Sequence, residues 1–230
     1  MVKRHCQHID PGQCPLGPPG APLASALIRT GPRAEARATL ILAHGAGAPM
    51  DSPFMEEIAA RLGDCGVAVV RFEFPYMASR RENGTRRPPD PQARLLACWR
   101  DVHAHVRQRV TGPLAIGGKS MGGRMASLLA DELGVDALVC LGYPFHPAGK
   151  PEKTRVEHLA ELRTPTLILQ GERDALGSRE EVAAYRLSPA IAVEWLAAAD
   201  HDLKPLKRSG FTQAQHLRHC AERIAAFLSG

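Results

Sequence analysis

Ala115-Ile116-Gly117-Gly118-Lys119-Ser120-Met121-Gly122-Gly123-Arg124 is the stretch that decides how this chain folds. It reads as a short apolar strand, a glycine-tight turn with a serine at its tip, and the start of a helix. Gly118-Lys119-Ser120-Met121-Gly122 fits G-x-S-x-G, in which a strained turn lifts a serine oxygen above the end of a parallel sheet. Glycines beside such a serine let strand and helix come close. The pattern alone is weak, since roughly one chain in ten of this length carries it by chance. Gly118-Lys119-Ser120 also fits the end of a phosphate loop, G-x-x-x-x-G-K-[ST]. That loop needs glycine where this chain has Pro113, and proline removes an N–H from a loop that works by donating N–H groups.

On either side, apolar runs alternate with helical periods. Residues 39–43, 67–72 and 137–141 read as strands buried on both faces, and 114–117, 166–170 and 193–196 as further strands. Residues 24–29 are expected as a short edge strand. Ser52 is expected to cap a helix that has Pro53 first and buries Met55, Ile58, Ala59 and Leu62. Asp90, followed by Pro91, is expected to cap a helix whose stripe is Leu95, Trp99, Val102 and Val106. The helix after Ser120 is expected to bury Met121, Met125, Leu128 and Leu129. Capping boxes stand at Ser178/Glu181 and Thr212/Gln215, and the last helix is expected to bury Ala214, Leu217, Ala221, Ile224 and Leu228. Residues 73–90 show neither period and are expected as an irregular functional loop. Strands alternating with helices mean an α/β fold, a mostly parallel sheet with helices on both faces.

In such a sheet, ligands meet the loops at the carboxyl ends of the strands. Ser120, Asp174 and His201 each follow an apolar run at that end, in the chain order Ser, Asp, His of one known catalytic arrangement. The expected roles are nucleophile for Ser120, general base for His201, and for Asp174 the carboxylate that orients the imidazole. Asp200 and Asp202 adjoin the histidine, and adjacent side chains point apart; Asp136 precedes its strand and lies at the wrong end. Two backbone donors are needed for the oxyanion: Met121, and Gly45 or Ala46 in the loop after residues 39–43. His44 is expected to shape that loop. Arg80 and Arg81, with Tyr76 and Tyr143, are the expected substrate contacts; Arg80, Arg81, Arg86 and Arg87 read either as a partial lid whose guanidinium groups bind a substrate carboxylate or phosphate, or as a solvated charged loop. Lys119 is expected to pair with a nearby carboxylate.

Leu42-Ala43-His44-Gly45-Ala46-Gly47, Arg71-Phe72-Glu73-Phe74-Pro75-Tyr76, the Gly117 to Arg124 elbow, Leu141-Gly142-Tyr143-Pro144-Phe145-His146 and Gln170-Gly171-Glu172-Arg173-Asp174 together resemble a subgroup of small α/β-hydrolases. The chain is similar to the dienelactone-hydrolase-like proteins, most of all the testis-expressed-protein type, to which a domain of a non-specific-lethal chromatin-complex subunit is related. The resemblance covers about residues 39–228. It implies an α/β-hydrolase fold with a minimal cap and a serine hydrolase with the three residues named above. Dienelactone enzymes use cysteine where this chain has Ser120, so their lactone substrate does not carry over. The chromatin relative implies a second reading, a non-catalytic interaction module on the same fold.

At 230 residues, 44% hydrophobic and 23% charged, the chain is sized for one domain, residues 23–230, behind a loose tail over 1–22. A net charge of +5, with arginines spread out except around Arg80, Arg81, Arg86 and Arg87, favours simple solubility over nucleic-acid binding. No apolar run reaches membrane-spanning length, and no apolar segment follows Lys3 and Arg4 as a secretory signal requires. The six cysteines show neither zinc nor disulfide spacing; Cys65, Cys98, Cys140 and Cys220 read as small core residues. His5, Cys6, His8 and Cys14 lack a second pair at metal spacing. The expected setting is cytoplasmic, with a small acyl substrate, no metal, no organic cofactor, no nucleic acid and no membrane partner.

Overall fold

A computed structural model describes residues 7–8 and 27–230. Most of the expected 1–22 tail, including His5, Cys6 and Cys14, lies outside the described residues, as do residues 24–26 of the expected edge strand. The strands are β1 (Gln7–His8), β2 (Ile28–Thr30), β3 (Ala38–Ala43), β4 (Val67–Phe72), β5 (Leu114–Lys119), β6 (Ala137–Leu141), β7 (Thr166–Gly171) and β8 (Ile191–Leu196). They form one sheet in the order β1-β2-β4-β3-β5-β6-β7-β8. From β4 onward every pairing is parallel, while β1 and β2 pair antiparallel. The continuous apolar runs have their physical cause here. Residues of β3, β4, β5, β6 and β7 are buried throughout, because helices cover both faces.

One core layer joins Ile41, Phe72, Ile116 and Leu138 to Trp99 and Met125; the other joins Leu40, Leu42, Val139 and Leu169 to Ile58, Leu62 and Ile224. The helices are α1 (Pro53–Asp64), α2 (Pro75–Asn83), α3 (Gln92–Arg107), α4 (Met121–Ser127), α5 (Ala130–Leu133), α6 (Arg179–Val182) and α7 (Gln213–Phe227). Both capping boxes form as expected. Cys98, Cys140 and Cys220 are buried and Cys65 is half-buried. Burial pushes the Cys98 and Cys220 thiols up to about 12, so neither is a thiolate at neutral pH. Among the described residues no helix is long and apolar enough to cross a membrane.

Four expectations are corrected. Residues 73–90 are not irregular throughout: Pro75 starts α2, which buries Tyr76 and Met77 and ends at Gly84 in the left-handed conformation. Asp90 does not cap α3, whose N-cap is Pro91; its carboxylate accepts from the Tyr76 N–H at 2.9 Å, holding the start of α2 instead. Ser52 flanks α1 but makes no side-chain cap bond. In α7 the buried face is His216, Leu217, Cys220, Ala221, Ile224 and Ala225, leaving Ala214 exposed and Leu228 half-buried.

Candidate active site

The sheet brings Ser120, Asp174 and His201 together across 81 residues of chain. Ser120 follows β5 with φ 51° and ψ −117°, a region unfavourable for a residue with a Cβ. The turn is held by its neighbours. The Ser120 N–H donates to the Leu141 carbonyl at 3.0 Å. A Cβ on Gly118 would lie 2.6 Å from the Gly122 carbonyl carbon, and one on Gly122 would lie 2.6 Å from the His44 carbonyl oxygen. Only glycine lets β5, α4 and the loop after β3 meet this closely.

His201 lies in the loop after β8. Its Nδ1–H donates to Asp174 Oδ2 at 2.7 Å, because a carboxylate only accepts. Its Nε2 is then the acceptor for the Ser120 hydroxyl, at 2.8 Å. Asp174 is wholly buried, and its other oxygen accepts from the Leu176 N–H at 2.8 Å. Gln170, the last polar residue of an apolar strand, also reaches Asp174. Its amide donates to Asp174 Oδ2 at 2.8 Å and to the carbonyls of Tyr143 and Gly177 at 3.1 Å, while its oxygen accepts from the Tyr143 N–H at 2.7 Å. Sequence reading passes over Gln170. The available signal was a polar residue closing the run Thr166 to Leu169, where a doubly covered strand has no water for it.

A cleft of about 310 Å³ opens beside Ser120 and His201, walled by Phe54, Met55, Lys119, Asp202 and the loop 45–48. His44 shapes that loop. Its Nε2 accepts from the Phe74 N–H at 3.1 Å, so its Nδ1 carries the proton and donates to the Gly45 carbonyl at 2.6 Å. Burial lowers its pKa and keeps the ring neutral. Lys119 is almost wholly buried. It donates to the His201 carbonyl at 2.8 Å and lies 3.3 Å from Asp202 and over the Phe54 ring. Burial lowers its pKa against the pull of Asp202.

Of the expected substrate contacts, Tyr76, Tyr143 and Arg81 are engaged within the protein. Tyr76 is buried and its hydroxyl donates to the Ala46 carbonyl at 2.9 Å, tying α2 to the loop after β3. Tyr143 is wholly buried against Phe145, with its hydroxyl donating to the Arg155 carbonyl at 2.9 Å; it offers a ligand no surface. Arg81 is consumed by two carboxylates, Glu73 at 2.5 Å and Asp51 at 2.7 Å. Its hydrogen bonds hold the Asp51 carboxyl below its usual value. Glu73 is wholly buried and needs this partner, which is why Arg81 is turned inward. Arg80 points toward the Gly47 carbonyl at 3.5 Å.

A family model described as "Alpha/beta hydrolase domain" matches residues 36–229. The chain belongs to the alpha/beta hydrolase domain family. Solved structures of the same fold are similar across nearly the whole molecule. An alpha-beta serine hydrolase homologue from Coxiella burnetii is 18% identical, with 97% of this chain and 98% of that chain covered and a TM-score of 0.70. A serine hydrolase without lid from Xanthomonas campestris is 19% identical, with 97% and 96% covered and a TM-score of 0.64. Dienelactone hydrolase from Anabaena variabilis is 20% identical, with 98% and 96% covered and a TM-score of 0.64. At these identities the likeness is one of fold. The α/β-hydrolase architecture expected from the strand ends is thus the architecture of the chain.

Proposed function

We propose that the chain is a serine hydrolase that cleaves an ester, thioester or related acyl compound through an acyl-enzyme on Ser120. The observation that carries this reading is the unbroken hydrogen-bond line Ser120, His201, Asp174 at the floor of an open cleft. His201 Nε2 takes the hydroxyl proton as Ser120 Oγ attacks the carbonyl carbon, and Asp174 stabilises the imidazolium. His201 then protonates the leaving group. Water, losing its proton to the same Nε2, attacks the acyl-enzyme, and Ser120 is regenerated with release of the acid.

Charge on the tetrahedral oxygen needs donors already in place. As the first residue of α4, Met121 has an N–H with no acceptor within the helix. The second donor belongs to the Gly45–Ala46 loop. Tyr76 and His44 hold the Gly45 carbonyl from one side. Across a trans peptide the Ala46 N–H points the opposite way, which favours Ala46 over Gly45. The interaction-module reading has nothing comparable in its favour, since binding needs neither the strained serine nor the buried carboxylate behind the histidine. The finer kinship with the testis-expressed-protein type rests on the elbow, with Lys119 and Arg124 in place.

A fluorophosphonate probe tests the reading. Wild-type protein is labelled at Ser120 and hydrolyses p-nitrophenyl esters, with a preference by acyl length; Ser120→Ala does neither. Absence of labelling in folded wild-type protein, or full activity in Ser120→Ala, overturns it.

A further inference from the structure

His201 has a long way to reach. Strands β6 and β7 lie between β5 and β8, so the strands that carry Ser120 and His201 are about 14 Å apart. The loop after β8 runs back over the ends of β7 and β6. A Cβ on Gly171 would lie 2.3 Å from the Asp200 carbonyl oxygen, and one on Gly142 would lie 2.7 Å from the His201 carbonyl oxygen. This path is strained on both sides of the imidazole. Ala198 has φ 53° and Leu203 has φ 57°, a region unfavourable for a residue with a Cβ. Such a backbone persists only where its surroundings hold it.

The bonds that hold the loop divide by position. On the β8 side, the Ala198 N–H donates to Glu172 Oε2 at 3.0 Å and the Arg173 N–H donates to the Ala199 carbonyl at 2.9 Å, both just past the end of β7. On the far side, the Gln213 amide donates to the Asp202 carbonyl at 2.8 Å and His216 Nδ1 to the Leu203 carbonyl at 3.1 Å, both from α7. Between these anchors the His201 carbonyl accepts from Lys119 Nζ at 2.8 Å, and this bond runs to β5 itself. Lys119 is the last residue of β5 and directly precedes the nucleophile, so one strand end presents both the hydroxyl and a donor to the backbone of its base. Ion pairing does not explain the placement. The Lys119 side chain is 9% exposed, whereas Asp202, 3.3 Å away, is 72% exposed. A carboxylate so open to water offsets little of the cost of burying an ammonium.

We propose that Lys119 is a positioning residue for His201, its ammonium pinning the His201 backbone carbonyl so that imidazole Nε2 stays within reach of Ser120 Oγ. The role rests on the hydrolase reading above and deepens it. The same Nε2 takes a proton from Ser120, gives it to the leaving group and then takes one from water, so its backbone has to stay in place through both halves of the reaction. With the carbonyl fixed to β5, the ring turns only about its own side-chain bonds.

The test is Lys119→Met, which keeps an unbranched side chain on the cleft wall, assayed with a p-nitrophenyl ester that wild type hydrolyses. A misplaced base is expected to lower kcat about a hundredfold with KM little changed. A loss of less than about tenfold in the folded variant, or a raised KM with kcat unchanged, overturns the proposal. Lys119→Cys is expected to show the same loss and stands in where Lys119→Met does not fold. Alkylation of Lys119→Cys with 2-bromoethylamine rebuilds an ammonium at nearly the original length and is expected to restore most of kcat, with wild type given the same treatment as control. No gain after complete alkylation at position 119 overturns the proposal. A second readout is the low-field proton resonance of His201 Nδ1–H in its bond to Asp174, expected in wild type and lost in Lys119→Met while the circular dichroism of the fold is unchanged. Should Ser120 prove unreactive in wild type, the hydrolase reading fails and this resonance alone decides: its loss in Lys119→Met upholds the positioning of His201 by Lys119, and its survival overturns it.

Discussion

Replacing the Gln170 amide with a carboxyl group, Gln170→Glu, keeps the shape of the side chain and reverses its meaning to Asp174. The oxygen that accepts from the Tyr143 N–H survives the change. The nitrogen that gave protons to Asp174, Tyr143 and Gly177 becomes an oxygen facing three acceptors. Two carboxylates at that 2.8 Å separation repel by about 6 kcal/mol at an effective dielectric of 20, a ceiling rather than a net value. The introduced carboxyl therefore keeps a proton in the folded state that it has lost in the unfolded chain, where glutamate titrates near about 4.3. Above that pH the folded state binds more protons, so stability falls as pH rises, by about 1.4 kcal/mol per pH unit. Below it the variant and wild type titrate alike. By pH 7 the relative loss reaches about 4 kcal/mol, still within the ceiling. Urea unfolding followed by the fluorescence of Trp99 and Trp195, at a series of pH values from 5 to 8, reads this directly. Gln170→Leu is the comparator. It also loses the bonds, but its deficit is expected to stay level with pH. A level deficit in Gln170→Glu would refute the placement of the amide against Asp174.

Two further substitutions probe the walls of the site. Tyr76→Phe removes the donor to the Ala46 carbonyl and is expected to lower stability by about 1 kcal/mol. It should lower kcat about tenfold with KM little changed, because the loop it frees carries an oxyanion donor; an unchanged kcat would count against that role. Lys119→Met removes a buried ammonium whose pKa lies below the free-lysine value of 10.5. Between its folded and unfolded values the unfolded chain binds more protons, so wild-type stability should rise relative to Lys119→Met as pH climbs to about 10.5. A difference that stays constant, or falls, across alkaline pH would show the ammonium to be better solvated than its burial implies.

Strand ends were the most legible feature of the chain. A doubly covered strand has to be apolar without interruption, and the residue that ends the run is placed at the rim where chemistry happens. Ser120, Asp174 and His201 were read that way, and the structure brings their side chains together. What the sequence concealed was mostly polar pairing over distance. Helix α2 buries only Tyr76 and Met77 before turning to arginine, glutamate and asparagine, so it is too short and polar to show a period. Asp90 had the chemistry of a cap and was taken by the Tyr76 N–H fourteen residues earlier. Arg81 looked free to meet a substrate, because nothing local shows that Glu73, eight residues back, is wholly buried and needs it. Gln170 was hidden in the opposite way, counted as the tail of a strand.

The order of the strands also sets how the site is lost. Ser120 rises from β5, with β3 on one side and β6 on the other, whereas His201 hangs from β8, a half-buried strand with one neighbour among the described residues. Local opening favours such a margin over the middle of a sheet. Fraying of β8 carries off the proton acceptor while the strained turn at Ser120 stays folded. Inactivation on warming should therefore run ahead of the loss of the central sheet, and amide exchange should be quicker along β8 than along β5.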